Sequence, residues 1–183
     1  TGPVLMAYGD GDPVTTAKAV FEWVNVENFD VQVRGGVALG QVMSKDQLAR
    51  RVVSNPDIEF PPCDRHYILG GQIERRLLAA LEYLTARGFR LTITSLHCGR
   101  EASITSSGNI SHHSVGGAAD IAAINGQPVL GNQGPGSLSY ALVRDLMELQ
   151  GTMVPTQIIS LMDLGGTTFA MGDHADHVHV GYA

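Results

Sequence analysis

Ser111-His112-His113-Ser114-Val115-Gly116-Gly117-Ala118-Ala119-Asp120 is a histidine-bearing loop that runs into a strand of small apolar residues. Within that strand, Ala118-Ala119-Asp120-Ile121-Ala122-Ala123, a carboxylate is costly to bury unless it is paired or binds a cation. Near the end of the chain stands Asp176-His177-Val178-His179. Side chains alternate along a strand, so His177 and His179 share a face. Histidine nitrogen and aspartate oxygen both suit zinc, and two histidines plus one carboxylate leave a coordination position open. Open sites of this kind activate water, so the pattern points to a hydrolase, with Asp176 as a nearby second carboxylate to serve as base. Taken singly, each histidine also reads as a surface residue on a sheet edge.

Around this pair of segments the second half of the chain is well marked. Ile73, Leu77, Leu81 and Leu84 recur at helical spacing and Gly88 is placed as a stop, which predicts a helix over 71–87. Residues 89–95 alternate and are rich in β-formers, so they read as a strand, as do 118–124, 157–161 and 177–182. Asn125-Gly126 signals a tight turn. Leu138, Leu142, Leu146 and Leu149 predict a second helix, with Gly151 as its stop. Earlier, Ser44 with Gln47 has capping-box form, which predicts a short helix carrying Leu48 and Val52 and ending before Asn55-Pro56. The expected fold class is α+β, with helices packed on one face of a mostly antiparallel sheet. Residues 1–13 read as a loose arm, and 14–43 carry no assignable pattern. Pro61-Pro62 marks the expected boundary between an N-terminal arm or accessory segment over 1–60 and a main domain over 61–183.

The chain has 183 residues, of which 44% are hydrophobic and 16% charged, enough for one domain with a real core. A net charge of -6 and the lack of a Lys/Arg stripe argue against nucleic acid as a partner. No apolar run is long enough to span a bilayer. No secretory leader is read, and the start at Thr1 suggests a processed or excised piece. The two cysteines, Cys63 and Cys98, either pair, as in an exported protein, or remain free thiols. The glycines of 131–136 form a loop with no phosphate-binding fingerprint, and Trp23 and the tyrosines form no stacking ladder. His66, His97 and His174 read as structural or hydrogen-bonded.

Ser111, His113, Gly116, Ala118 and Asp120, with the later His177-x-His179, resemble the motif of zinc peptidases that include D-alanyl-D-alanine carboxypeptidases and dipeptidases. Lysostaphin-type endopeptidases and the hedgehog signalling domain share that fold. The resemblance covers roughly residues 70–183, and it implies a hedgehog/DD-peptidase-like fold with Zn2+ held by His113, Asp120 and His179. Its spacing to the aspartate favours His113 over His112. It implies that Asp176, three residues before the last ligand, is the catalytic base; Asp173 is the rival in the hedgehog-like spacing. His177 would stabilise the oxyanion or pack behind the ligands. Ser111 would contact substrate, or cap the local backbone. Where the family carries an arginine that grips the substrate carboxylate, this chain has Cys98. Arg100, two residues on, either takes over that clamp or is a solvated loop charge. Loss of the clamp would favour an endopeptidase over a strict carboxypeptidase.

The implied substrate is a bacterial cell-wall (peptidoglycan) peptide, and the implied location is extracellular or in the cell envelope. The competing expectations are a zinc-bearing binding module without catalysis, a lytic component of a larger phage-type assembly, and a metal-free structural domain. The burial cost of Asp120 counts against the last.

Overall fold

In a computed structural model, residues 43–105 and 108–182 are described. The loose arm expected over 1–13 lies outside them. Ser44 caps α1 (Lys45–Ser54): its hydroxyl accepts from the Gln47 amide, and the Gln47 side chain accepts in return from the Ser44 N–H. This is the capping box read from the sequence. The helix buries Leu48, Ala49 and Val52. Next come β1 (Ile58–Glu59), α2 (Asp64–Leu69) and α3 (Arg75–Ala86).

Helix α3 starts four residues later than its leucine spacing suggested. Gly71 adopts a left-handed φ of 73° and Gln72 donates to the Tyr67 carbonyl, so the chain turns there before the helix can begin. Gly88, at φ 90°, follows its end. Leu77 through Leu84 are all buried, because α3 is enclosed by its neighbours. The one acid in that run, Glu82, is compensated by Arg51 Nε at 2.9 Å and Asn55 Nδ2 at 3.0 Å.

The remaining elements are β2 (Leu91–Ser95), β3 (Ala118–Ile124), β4 (Gln127–Pro128), α4 (Leu138–Met147), β5 (Gln157–Ser160), β6 (Thr168–Ala170) and β7 (Val178–Gly181). Asn125 (φ 53°) and Gly126 (φ 79°) form the expected two-residue turn between β3 and β4. Arg87 grips Asp145 through two bonds, 2.8 and 3.1 Å long, and so fastens the end of α3 to α4.

The strands form one sheet in the order β1-β2-β3-β7-β5-β6, with β4 paired to β3. The mostly antiparallel sheet expected from the sequence is corrected to a mixed one. Its outer pairs, β1 with β2 and β5 with β6, are parallel, while the β2-β3-β7-β5 centre is antiparallel. Both parallel pairs depend on very short strands, β1 and β6, which alternation in the sequence did not reveal.

Alternation gives the sheet two unlike faces. Ala119, Ile121, Val178, Val180 and Ile158 join the leucines of α1, α3 and α4 in one hydrophobic core. Asp120, His179 and Gln157 fall on the opposite parity. Leu48, Ala49, Val52 and Ile58 belong to that same core, which therefore continues across the boundary expected at 60/61. No described helix is long and apolar enough to cross a membrane.

Cys63 and Cys98 are joined by a disulfide across 35 residues of sequence. It fastens the entry of α2 to the segment after β2. Asp64, fully buried, accepts from the amides of His97 and Cys98 at 3.0 and 2.8 Å and holds the same junction. Closing a loop of this length restricts the unfolded chain by about 4 kcal/mol. The double substitution Cys63→Ser/Cys98→Ser is expected to lower the melting temperature by roughly 10 °C in calorimetry. An unchanged melting temperature would show that the cross-link contributes nothing to stability.

Candidate metal centre

The central strands place the first two site residues. In the register between β3 and β7, Asp120 lies opposite His179, while Ala119–Val180 and Ile121–Val178 pair on the core side. The side chains of Asp120 and His179 therefore emerge together on the face away from the helices. The carboxylate Oδ1 lies 2.8 Å from His179 Nδ1.

The third residue arrives on a loop built to deliver it. Ser111 caps a 3-10 turn over His112–Val115 by accepting from the His113 amide at 3.3 Å. Gly116 ends that turn at φ 68°, and a Cβ there would strike the Gln72 carbonyl. A Cβ on Gly117 would likewise strike the Tyr182 carbonyl. The two glycines thus let the turn settle against the start of β3. His113 then donates from Nδ1 to the Leu96 carbonyl at 2.6 Å, which turns Nε2 inward, the nitrogen whose lone pair a metal would take. Nε2 lies 3.1 Å from Asp120 Oδ1 and 3.2 Å from His179 Nδ1.

One ligand atom from each of His113, Asp120 and His179 lies within 4.8 Å of the others, and all three residues are buried. This group can hold a metal ion. Its electrostatics suit that role. Burial alone would push the Asp120 carboxyl up, yet hydrogen bonds and charge from His113 and His179, with ring protons facing it, outweigh that and hold the carboxyl well below its usual range; a cation would take the place of those protons. Burial lowers the pKa of His179 despite the opposing pull of Asp120, which favours the neutral ring that a metal requires.

The other sequence candidates fall at different distances. His177 approaches the centre: its Nε2 is 3.7 Å from Asp120 Oδ1. Asp176 binds His177 Nδ1 at 2.6 Å and is largely exposed, and this bond lowers its pKa. Asp173 makes the same kind of pair with His174 Nδ1 at 2.8 Å. The His174 ring lies 4.6 Å from that of His177 and 5.8 Å from that of His179, centre to centre. Ser111 serves as the local cap. Arg100 is exposed on the loop after β2, where its carbonyl accepts from Ser114 Oγ at 2.9 Å. Its guanidinium has no ion pair among the described residues. His112, the rival to His113, is outside the ligand group and sits beside Gln157.

Sequence reasoning missed two glutamines and a carbonyl. Gln133 donates to the carbonyls of His174 and Ala175 and accepts from the Leu161 amide at 2.7 Å, so it pins the segment that precedes His177. Gln157 lies 3.0 Å from His179 Nε2. The Leu96 carbonyl bears no mark in any sequence. Gln157 had one usable signal, its even spacing from Ile159 on an alternating strand, but only the pairing with β7 shows which face that is.

No protein-family model, curated protein or solved structure matches the chain. The assignment therefore rests on geometry. Metal analysis of the purified protein is expected to find roughly one divalent ion per chain, and almost none in His113→Ala or Asp120→Ala. Stoichiometric metal in either variant would remove the assignment.

Proposed function

We propose that the protein is a zinc-dependent peptidase of the hedgehog/DD-peptidase type that hydrolyses bacterial cell-wall peptides. The observation that carries this reading is the buried His113–Asp120–His179 group with the Asp176–His177 pair beside it. Two nitrogens and one carboxylate oxygen fit zinc and leave it a free position. Bound there, zinc supplies a Lewis acid and a water of lowered pKa.

The chain's own residues supply the rest. Asp176 gives one oxygen to His177, and its other oxygen is free to take the proton of an attacking water. The same carboxylate later returns that proton to the leaving amine. Because His177 commits Nδ1 to Asp176, it offers Nε2 to the site, and in the protonated ring that nitrogen donates to a developing oxyanion. Asp176 is preferred over Asp173 because its partner ring comes within 3.7 Å of a ligand oxygen. Exposed Arg100 is the available clamp for a peptide carboxylate, and Ser111 borders the same loop. The disulfide favours an oxidising compartment, in keeping with an extracellular or cell-envelope location.

Mass spectrometry of peptidoglycan digested with the zinc-loaded protein tests this reading and identifies the bond cut. Asp176→Ala is expected to lower turnover by about 10²- to 10⁴-fold while zinc content stays that of the wild type. A larger loss in Asp173→Ala would transfer the role of base to Asp173. Zinc uptake without any cleavage would make the protein a zinc-bearing binding module.

A further inference from the structure

We infer that Gln157 is a positioning residue for the metal centre: its amide oxygen holds the proton of His179 on Nε2 and so turns the Nδ1 lone pair toward the ion. This inference rests on the metal-centre reading and adds a residue to it.

The argument begins with the two histidines, which face the centre through different nitrogens. His113 presents Nε2, and its Nδ1 is tied to the Leu96 carbonyl. His179 presents Nδ1, which lies 2.8 Å from Asp120 and 3.2 Å from His113. A neutral imidazole that binds through Nδ1 must carry its proton on Nε2, and that proton needs an acceptor. A backbone carbonyl does this for His113. For His179 the group at that place is the Gln157 carboxamide, whose nitrogen, as placed, lies 3.0 Å from His179 Nε2; the proposal turns this amide over, so that its oxygen takes that position.

A carboxamide can meet this need in a way most side chains cannot. Rotation about its terminal bond exchanges nitrogen and oxygen at nearly the same position. With the oxygen inward, its two lone pairs accept from two N–H groups. A second ring nitrogen is there: His112 Nδ1 lies 3.0 Å from the same amide atom. The oxygen would therefore bridge His179 Nε2–H and His112 Nδ1–H. His179 is only 6% exposed, so bulk water is a poor substitute for that acceptor.

The backbone makes room for the bridge. Gln157 lies opposite Gly181 in the pairing of β5 with β7. A Cβ on residue 181 would come within 2.5 Å of His112 Nδ1 and 3.0 Å of Gln157 Cγ. Glycine at 181 thus allows His112 and Gln157 to meet over the strand that carries His179. The bridge also gives His112 a function: it anchors the glutamine from the loop that delivers His113.

The test compares zinc affinity, by chelator competition, in the wild type, Gln157→Leu and Gln157→Glu. The leucine variant is expected to bind zinc about 10- to 100-fold more weakly. Glutamate, whose carboxylate accepts from both rings, is expected to restore most of that loss. Nitrogen-15 spectra of the zinc-loaded wild type should show His179 protonated on Nε2 and protected from exchange, which a merely structural role does not require. Equal affinity in Gln157→Leu and wild type would overturn the inference and leave the metal centre standing. Wild type that takes up no zinc would overturn both. If Gln157→Leu does not fold, the wild-type spectrum decides alone: a His179 Nε2 proton that exchanges freely with water rejects the bridge alone, whereas a proton on Nδ1 rejects the ligand reading with it.

Discussion

The structure depends on the Asp120 carboxylate, a negative charge held near the middle of a sheet whose other face is the hydrophobic core. An isolated ion there would cost several kcal/mol in lost hydration. Ring protons of two imidazoles about 3 Å away, or a cation held in place of those protons, offset that cost, and both rings are fixed from behind, one by a main-chain carbonyl and one by a glutamine. Removing any one partner leaves the others buried without compensation. The arrangement is therefore a unit, and the loop, the strands and the disulfide-tethered junction can be understood by how they serve it.

Sheet register does most of the assembly. Asp120 and His179 meet because β3 and β7 are antiparallel and paired at that position, and a slip of one residue would exchange the polar face for the apolar one. The apolar partners Val178, Val180, Ala119 and Ile121 prevent the slip, since it would carry them out of the core. Packing thus secures chemistry on the reverse of the same strands. The loop from β2 contributes in another way: Leu96 orients the His113 ring, and His97 Nδ1 contacts the His113 carbonyl at 2.7 Å. The disulfide at Cys98 restrains that loop at the next residue.

Much of this was legible in the sequence, and the limits have physical causes. The capping box at Ser44, the Asn125-Gly126 turn and the two leucine-spaced helices are local signals, and all are present. Asp120 was readable because an aspartate in an alanine strand conflicts with burial unless something compensates it, while His113 and His179 as its companions were implied by the resemblance to the zinc-peptidase motif. The mixed character of the sheet was not readable, because strands of two or three residues have no period to detect. The core contacts of Leu48, Val52 and Ile58 were not readable, because they are made with elements distant in sequence. The roles of Gln157 and Leu96 escaped for a different reason. One acts through strand pairing and the other through its backbone, and neither leaves a trace in residue type.

Asp120 and His179 stand 59 positions apart along the chain, and His113 and His179 stand 66 apart. An ion held there would need the β3–β7 pairing and the His113 turn already formed, so unfolded chains would offer it little. By mass action its binding free energy adds to the stability of the entire domain, and at a hundredfold excess over the dissociation constant that increment is about 2.7 kcal/mol. Metal supply would then govern how much of the protein survives proteolysis, independently of any turnover.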